Sequence, residues 1–381
     1  MLEAGRKMES LCRVHVNWNN FRANIRLLKE KRKHLMPVIK ADAYGHGVCQ
    51  AARELEKCGM EMAAAGTLEE ALLIRKSGFK GDIVALLTHF EGKDSVHAAL
   101  EGNITVLIHC KEDLMLAQSA LLDMPGEARL NAAFKFDSGM GRLGFALDHV
   151  EDAVQCLREA KKINPVLVLS HLAVADDPDE ENYTSMQIDA FYKAVDIVRK
   201  SFPGVRCSLG NTADALLQRT HPEDICRPGL SLYGCNPFHG TKYAPLGEGF
   251  LPVMEAAAPI VSIHALRKGE SLGYGRTYVA QSDRTVGWVA IGYADGYRRN
   301  PSSGTCMCIG GIRVPVIGRV AMQMTCVDLT DLPILPRPGD LAWILGGSGN
   351  AVSAQDLAGW WGTIPYEVLC LLGKNHRVDM E

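Results

Sequence analysis

A lysine at the end of an apolar segment is the first residue whose position suggests chemistry. Lys40 lies in VIKADAYGHG (Val38–Gly47) and is followed by a polar loop that contains glycine. If the segment is a barrel strand, its carboxyl end lies on the face where barrel enzymes place their active sites. A partly desolvated amine there suits Schiff-base chemistry. Because most lysines are exposed, Lys40 alone would be an ordinary surface residue, so the assignment depends on its neighbours on that face.

Further polar residues follow the later predicted strands. Barrel enzymes often bind phosphate with the loops after the seventh and eighth strands, where hydroxyl and backbone N–H groups donate hydrogen bonds. Singly, each residue has an ordinary structural explanation, such as a core histidine, an ion-pair arginine or a turn glycine. Together they indicate a binding site, formed by Lys135, Asp137, Arg142, His171, Asn211, Thr212, Arg227, Pro228, Gly229 and Leu230.

Alternating strands and helices in the first two thirds of the chain must position these residues. Eight short apolar runs, each followed by a helix or a gap of helical length, favour an α/β fold with a (β/α)8 TIM barrel, with a doubly wound sheet as the alternative. The predicted helices are Trp18–Lys31, Thr67–Lys76, Lys111–Leu122, His149–Lys161 and Tyr183–Arg199. The predicted strands are Pro37–Lys40, Glu61–Ala65, Asp82–Leu87, Asn103–Ile108, Leu130–Phe136, Val166–His171, Cys207–Asn211 and Ile225–Tyr233.

After about Phe238 the pattern changes to short β-rich runs separated by glycine and proline. We therefore expect a barrel domain of residues 1–245 and a C-terminal, mainly-β domain of residues 246–381, with the boundary within Phe238–Pro252. The alternating run Cys12–Trp18 makes residues 1 to about 17 a candidate to pack with the second domain. The strands predicted there are Ala258–Ala265, Thr285–Ile291, Thr305–Ile309, Ile312–Ile317 and Leu341–Leu345.

Composition narrows the class of protein. The 381 residues carry a net charge of −3, which provides no overall basic field for nucleic acid, and 47% are hydrophobic, as in a soluble globular enzyme. The polar stretch Met1–Asn24 contains no apolar run of signal-peptide or membrane-span length, and Met8 is an alternative start. The 12 cysteines include no C-x-x-C pair, so we expect no metal site. Because no signal peptide or membrane span is found, we expect a cytoplasmic location, reduced thiols and no membrane partner.

Seven segments follow one another along the chain: VIKADAYGHG, FDSGMGRLG, SHLAVAD, CRPGLSLYG, SLGYGRTY, IGYADGY and IPYEVLC. They resemble, in the same order, the signature segments of alanine racemases. Any one match would be moderate or weak, whereas seven in family order between Val38 and Cys370 are specific. The resemblance implies an isomerase that uses pyridoxal 5′-phosphate (PLP) and interconverts L- and D-alanine, supplying D-alanine for the peptidoglycan of the cell wall. It also implies a homodimer with shared active sites.

The resemblance assigns roles at matching positions. Lys40 matches the lysine that binds PLP covalently and serves as one catalytic base, and Tyr274, from the other subunit, matches the second base. Two bases are required because racemisation removes a proton from one face of Cα and returns one to the other. Arg227 matches the arginine that faces the pyridine nitrogen, and His171 links it towards Tyr274. The remaining matches to cofactor-binding positions are Tyr44, Asn211, Thr212, Gly229, Leu230 and Tyr366.

The substrate-binding matches are fewer. Arg142 and the backbone N–H of Met322 match groups that fix the substrate carboxylate, and Lys135 matches a lysine that is carbamylated in many members. Tyr293 matches a residue of a narrow access channel, which in the family is also lined by the counterparts of Asp176, Arg299, Arg319 and Tyr366.

One segment departs from the family pattern, which usually reads C-M-D-Q. Here the residues are Ala321, Met322, Gln323 and Met324, so an amide replaces the carboxylate beside the substrate pocket. A serine racemase or a racemase of broader specificity therefore stays open as an alternative to alanine.

Two other classes share the barrel. A PLP-dependent amino-acid decarboxylase would need a C-terminal catalytic-cysteine motif, which we do not find, and the segment around Tyr274 argues against it. A non-enzymatic PLP-carrier protein resembles the barrel alone, so the β-rich region after Phe238 argues against that function.

Overall fold

The computed structural model describes residues 10–122, 129–300 and 303–380. They form two compact units. One, which we call the barrel unit, contains residues 21–43 and the described part of 47–251. The other, which we call the β unit, contains the described residues up to Asn20, residues 44–46, and the described residues from Pro252 onwards. The alternative start at Met8 lies outside the described residues.

The elements alternate in the barrel unit and are mostly strands in the β unit. The helices are α1 (Trp18–Lys31), α2 (Lys40–Tyr44), α3 (Val48–Lys57), α4 (Leu68–Lys76), α5 (Lys93–Glu101), α6 (Lys111–Leu122), α7 (Val150–Glu159), α8 (Glu181–Ser201), α9 (Thr212–Leu217), α10 (Ala354–Trp361) and α11 (Pro365–Leu372). The strands are β1 (Arg13–Asn17), β2 (Met62–Ala65), β3 (Asp82–Ala85), β4 (Ile104–Ile108), β5 (Leu130–Asp137), β6 (Phe145–Ala146), β7 (Ile163–Leu169), β8 (Arg206–Ser208), β9 (Met254–Leu266), β10 (Ser271–Leu272), β11 (Tyr278–Val279), β12 (Arg284–Val289), β13 (Cys306–Ile309), β14 (Ile312–Ile317), β15 (Thr325–Asp328), β16 (Leu341–Leu345) and β17 (His376–Met380).

The predicted fold class is confirmed. Strands β2, β3, β4, β5, β7 and β8 pair in that order, all parallel. Two less regular segments close the ring: residues 34–39 bond to β2 and to residues 226–228, and residues 225–227 bond back to residues 207–210. The strand interiors are short, apolar and almost entirely buried, as expected for parallel strands covered on both faces. Eight segments thus form a barrel whose carboxyl ends share one face.

Two of the predicted strands are wrong in their extent. Pro37–Lys40 makes only isolated bridges, and of Ile225–Tyr233 only the first residues join the ring, while Leu230–Tyr233 is a 3₁₀ turn. Both segments contain a proline, Pro37 or Pro228, which has no N–H to donate and therefore interrupts a regular ladder.

The β unit is built on one long strand. The eight-stranded sheet has the order β12-β15-β14-β13-β16-β9-β1-β17, and a further pairing of β9 with β12 closes part of it into a small barrel. β1 pairs antiparallel with β9 and parallel with β17, so the N-terminal strand belongs to this unit. Buried and exposed side chains do not alternate regularly along the 13 residues of β9, because different parts of this strand pair with β1, β12 and β16.

Two helices of the β unit, α10 and α11, were not predicted from the sequence. α10 begins at a capping box in which Ser353 and Asp356 bond reciprocally, and it ends at Gly362 in a left-handed conformation. α11 begins with Pro365. These signals are readable in the sequence, but the surrounding β-rich pattern obscured them. No helix in the described ranges is both long and apolar enough to span a membrane.

Two glycines of the β unit let backbone segments meet. A Cβ on Gly373 would lie 2.3 Å from the carbonyl oxygen of Gly45 and 2.4 Å from its Cα. Both obstacles are backbone atoms, which cannot rotate away as a side chain can. This contact anchors the loop that contains Tyr44 to the end of α11.

We expect Gly373→Ala to lower the free energy of unfolding by about 2 to 3 kcal/mol, because the new methyl group forces the two segments apart. Gly359→Ala is the matched control. Gly359 lies in α10 with nothing within 4 Å of an added Cβ, and alanine there should raise stability by up to about 1 kcal/mol. Denaturant unfolding measures both, and equal midpoints for the two variants would contradict the close contact.

Candidate active site

A left-handed turn follows Lys40 in the barrel unit. Ala41, Asp42 and Ala43 have φ of 52–54° and ψ of 45–53°, although none is glycine. Each such residue costs about 1–2 kcal/mol, so the turn forms only where its surroundings hold it. The N–H of Asp42 donates to Glu70 Oε1 at 3.0 Å, and Asp42 Oδ1 accepts from the N–H of Val48 at 2.8 Å. The start of the Lys40 loop is thereby fixed by contacts with two helices.

Arg227 is buried and is held by backbone oxygens. Its NH1 donates to Ser208 O at 2.7 Å and to Ser208 Oγ at 2.6 Å, and its NH2 donates to Ser170 O at 2.5 Å. Within the part of the chain that the structure describes, no carboxylate forms an ion pair with Arg227. Burial is the main cause that lowers the pKa of Arg227, to about 10. The guanidinium is therefore a buried cation fixed by neutral groups.

His171 lies against this cation. Arg227 NH2 donates to His171 Nδ1 at 3.2 Å, which makes Nδ1 the acceptor and places the imidazole proton on Nε2. Burial, followed by the charge of Arg227, holds the pKa of His171 well below its usual value. His171 is therefore neutral at physiological pH and presents an N–H donor on its far side.

Lys135 lies inside the barrel near the end of β5. It is only 4% exposed, and its Nζ forms no hydrogen bond. Burial, and then the charges of Arg227 and Arg142, lower the pKa of Lys135 to about 8. Near pH 7.5 Lys135 is consequently a neutral amine in a substantial fraction of the molecules, and the neutral amine is the nucleophilic form.

Asp137 organises the loop after β5. Its Oδ1 accepts the N–H groups of Gly139, Met140 and Gly141, and its Oδ2 accepts that of Arg142. Burial opposes ionisation, but these N–H groups and Lys135 together lower the pKa of Asp137. The carboxylate of Asp137 therefore holds the backbone of the loop in place. Arg142, the last residue whose N–H it accepts, is exposed.

The predicted phosphate donors lie together after β8 and residues 225–228. Asn211 caps α9 by accepting the N–H of Asp214, and Thr212 Oγ1 accepts the N–H of Gly229 at 2.8 Å. Leu230 begins the 3₁₀ turn. Because the Gly229 N–H already bonds to Thr212, the free donor of this pair is the threonine hydroxyl hydrogen.

The four tyrosines predicted to belong to the site lie in the β unit. Tyr44 is buried with its ring centre 5.7 Å from that of Tyr366, and burial, followed by Tyr366, raises the pKa of Tyr44. Tyr274 begins a 3₁₀ turn between β10 and β11 and is 69% exposed. Tyr293 and Met322 are also exposed, and the Met322 carbonyl accepts the N–H of Ala294.

The predicted residues thus fall into two sets. The barrel unit contains Lys40, Lys135, Arg142, His171, Asn211, Thr212, Arg227, Gly229 and Leu230, and the β unit contains Tyr44, Tyr274, Tyr293, Met322 and Tyr366.

Sequence reasoning missed Ser170 and Ser208, which hold Arg227. Both act mainly through their carbonyl oxygens, which every residue type carries, so no residue pattern could have identified them.

Comparison with known proteins places the chain among racemases. Residues 16–237 match the family model described as alanine racemase, N-terminal domain, and residues 253–380 match alanine racemase, C-terminal domain. An alanine racemase of Nitratidesulfovibrio vulgaris is 44% identical over 97% of this chain and 98% of its own.

Two solved structures show the same fold. The biosynthetic alanine racemase of Pseudomonas aeruginosa has a TM-score of 0.84 at 30% identity and covers 98% of this chain and 100% of its own. The alanine racemase of Bartonella henselae, described with covalently bound pyridoxal phosphate, has a TM-score of 0.86 at 23% identity, over 97% of this chain and 99% of its own.

The buried amine of Lys135 predicts a pH dependence of stability. Its folded pKa is about 8 against 10.5 for a free lysine, so the unfolded chain binds more protons between these values. The penalty for burying the cation, about 3 kcal/mol, is fully present below pH 8 and disappears as the pH rises to 10.5. Relative to wild type, Lys135→Met should be more stable at pH 7 and should lose that advantage towards pH 10.

Denaturant unfolding at a series of pH values in CO₂-free buffer, where Lys135 stays an unmodified amine, measures this difference. Lys161→Met, at an exposed position, is the control and should show no such trend. A constant difference between Lys135→Met and wild type from pH 7 to 10 would contradict the shifted pKa.

Proposed function

Because the chain belongs to the alanine racemase family, we propose that it interconverts L- and D-alanine with PLP by a two-base mechanism, using Lys40 and Tyr274 of the partner subunit. The family match over both domains supports the reaction. The structural observation that supports it best is the buried Arg227, a cation fixed by neutral groups in the same unit as Lys40.

The residues of the barrel unit fit an anionic cofactor. Lys40 would hold PLP covalently, Thr212 would donate its hydroxyl to the phosphate, and Arg227 would face the pyridine ring. Asn211, Gly229, Leu230, Tyr44 and Tyr366 are the further proposed cofactor contacts. When bound, PLP withdraws electrons from Cα of the amino acid and so makes the Cα proton removable.

Arg227 keeps its own proton under these conditions. A guanidinium has donors only, and with a pKa of about 10 it is charged at neutral pH. Towards the pyridine nitrogen it can therefore donate a hydrogen bond but cannot readily transfer a proton. Neutral His171 extends the chain of donors from Arg227, with its Nε2–H directed away from the arginine.

Proton transfer needs one base on each face of Cα. Lys40 would remove or return the proton on one face, and the hydroxyl of Tyr274 would do so on the other. Tyr274 is 69% exposed in the single chain, which supports a role for it in the site of a second copy. We propose a homodimer whose sites each combine residues of both subunits.

The substrate carboxylate would be bound by Arg142 and the N–H of Met322, with Tyr293 lining the access channel. Lys135 would be carbamylated, since a buried neutral amine can add to CO₂ and release one proton to solvent. The charges of Arg227 and Arg142, which act on this amine, would stabilise the resulting anion. We further propose that the protein is cytoplasmic and supplies D-alanine for peptidoglycan. Its 12 cysteines are all free, which is typical of proteins in a reducing compartment.

Subunit complementation tests the shared site. Lys40→Ala and Tyr274→Phe should each abolish racemisation as homodimers. In a hybrid dimer one site carries both substitutions and the other carries neither, so mixing the two inactive variants should restore activity at one site per hybrid. Chiral chromatography of alanine after dissociation and reassociation of the mixture measures the recovery.

Tyr278→Phe is the matched control, because it removes a tyrosine hydroxyl from the same hairpin without being a proposed base, and it should stay active. No recovery in verified hybrid dimers would show that both bases come from one chain. Tyr274→Phe should also retain exchange of the Cα proton with deuterated solvent for one enantiomer only. Exchange of both enantiomers would contradict the two-base mechanism.

Carbamylation of Lys135 predicts a dependence on CO₂. Removing CO₂ should lower kcat/KM reversibly, and ¹³C-labelled bicarbonate should restore activity together with a carbamate resonance. Lys135→Gln should be less active than wild type and insensitive to CO₂. Full activity of the wild type after CO₂ depletion, with no carbamate resonance, would contradict the modification.

Residues 321–324 differ from the C-M-D-Q pattern of the family, so serine is tested as an alternative substrate. Gln323 and Met324 are exposed in the β unit beside Met322. We expect kcat/KM for alanine to exceed that for serine, lysine and arginine when racemisation of each is measured in parallel. A higher value for serine would replace the alanine assignment with the serine or broad-specificity alternative.

A further inference from the structure

A cluster of three different ligand types lies outside the proposed active site. His109 and Cys110 form the connection from β4 to α6, and Asp113 lies in the first turn of α6. One ligand atom from each, a ring nitrogen, a sulfur and a carboxylate oxygen, lies within 4.8 Å of the other two. Among the residues that the structure describes, this is the one group of three or more such side chains with this proximity.

The arrangement of the carboxylate points to a shared ligand. Asp113 Oδ2 is buried and accepts no hydrogen bond, although His109 Nε2 lies only 3.3 Å away. A histidine and an aspartate that served each other alone would normally align N–H and oxygen at this distance. Here the two groups approach each other but leave this oxygen without a hydrogen bond, and a carboxylate oxygen of Asp113 lies within 4.8 Å of the Cys110 sulfur. A cation among the three atoms would satisfy all of them.

Cys110 is free and does not form a disulfide.

We propose that His109, Cys110 and Asp113 bind a zinc ion. A thiolate and an imidazole favour zinc over magnesium or calcium, which take oxygen ligands. The thiolate and the carboxylate together balance the charge of a divalent ion. Three protein ligands leave one tetrahedral position for water or a small anion. The expectation of no metal site followed from the absence of C-x-x-C, whereas these ligands follow the spacing H-C-x-x-D across a strand-to-helix connection.

The cluster lies on the same end of the barrel as the proposed active site. Ile108, the residue before His109, pairs with Phe134, which precedes Lys135. The two sites are therefore on adjacent strands, but their residues are different. Zinc binding can accordingly be tested separately from racemisation, and it does not depend on the proposed function.

Competition between the holoenzyme and a chromophoric chelator for zinc measures binding. We expect one zinc per chain at this site, and at least about tenfold weaker binding in His109→Ala, Cys110→Ser and Asp113→Asn. Cys156→Ser is the control for a partly buried cysteine outside any cluster. His149→Ala is the control for a histidine beside an aspartate, Asp152, without a thiol. Both should bind zinc as wild type does.

Cobalt substitution identifies the sulfur ligand directly. Holoenzyme loaded with Co²⁺ should show a thiolate-to-cobalt charge-transfer band in the near ultraviolet, as a difference from the metal-free holoenzyme. The band should be lost in Cys110→Ser and kept in Cys156→Ser, with circular dichroism confirming that both are folded. Absence of zinc binding by wild type, or a cobalt band unaffected by Cys110→Ser, would overturn the proposal.

Discussion

The buried guanidinium of Arg227 is the constraint on which the barrel-unit site depends. Its hydrogen bonds reach the backbone at Ser170 and Ser208, so one side chain joins the ends of two barrel strands. A buried cation is costly unless its donors are satisfied, and here carbonyl oxygens satisfy them. These bonds require the strand ends to be in register, and the position of the site therefore follows from the closure of the barrel.

Carbonyl partners leave the positive charge of Arg227 uncancelled, which changes its neighbours. A carboxylate partner would neutralise this charge. Burial, and then the uncancelled charge of Arg227, lower the pKa of both His171 and Lys135 and so favour their neutral forms. Asp137 opposes the shift of the Lys135 pKa but does not outweigh burial, Arg227 and Arg142. Its two oxygens also accept four backbone N–H groups of the loop after β5. The proposed anions, a phosphate, a substrate carboxylate and a carbamate, are the groups that such a site would stabilise.

The helices and parallel strands whose apolar residues recur at regular spacing could be predicted from the sequence. The spacing of apolar residues gave the bounds of α1 and α6 without error, and the parallel strands between them were found to within a few residues. The failures have local causes. Prolines shortened the strands around Pro37 and Pro228, and the two helices after Ser353, of which one has a capping box and the other begins with Pro365, were not recognised. The partners of Arg227 and the bond from Gly229 to Thr212 depend on backbone atoms brought together by folding, which no residue pattern reveals.

The turn after Lys40 shows why local preferences fail at this site. Alanine and aspartate disfavour left-handed conformations, and a sequence reading would continue the loop or begin an ordinary helix there. The turn is formed because Asp42 accepts a hydrogen bond from Val48 of α3 and donates one to Glu70 of α4, and both helices take these positions only in the folded barrel. A right-handed turn would direct the chain after Lys40 along another path and break these bonds. The strained turn is therefore held by α3 and α4, two of the helices that cover the strands. The path of the backbone after Lys40 depends on the folded barrel and not on the preferences of its own residues.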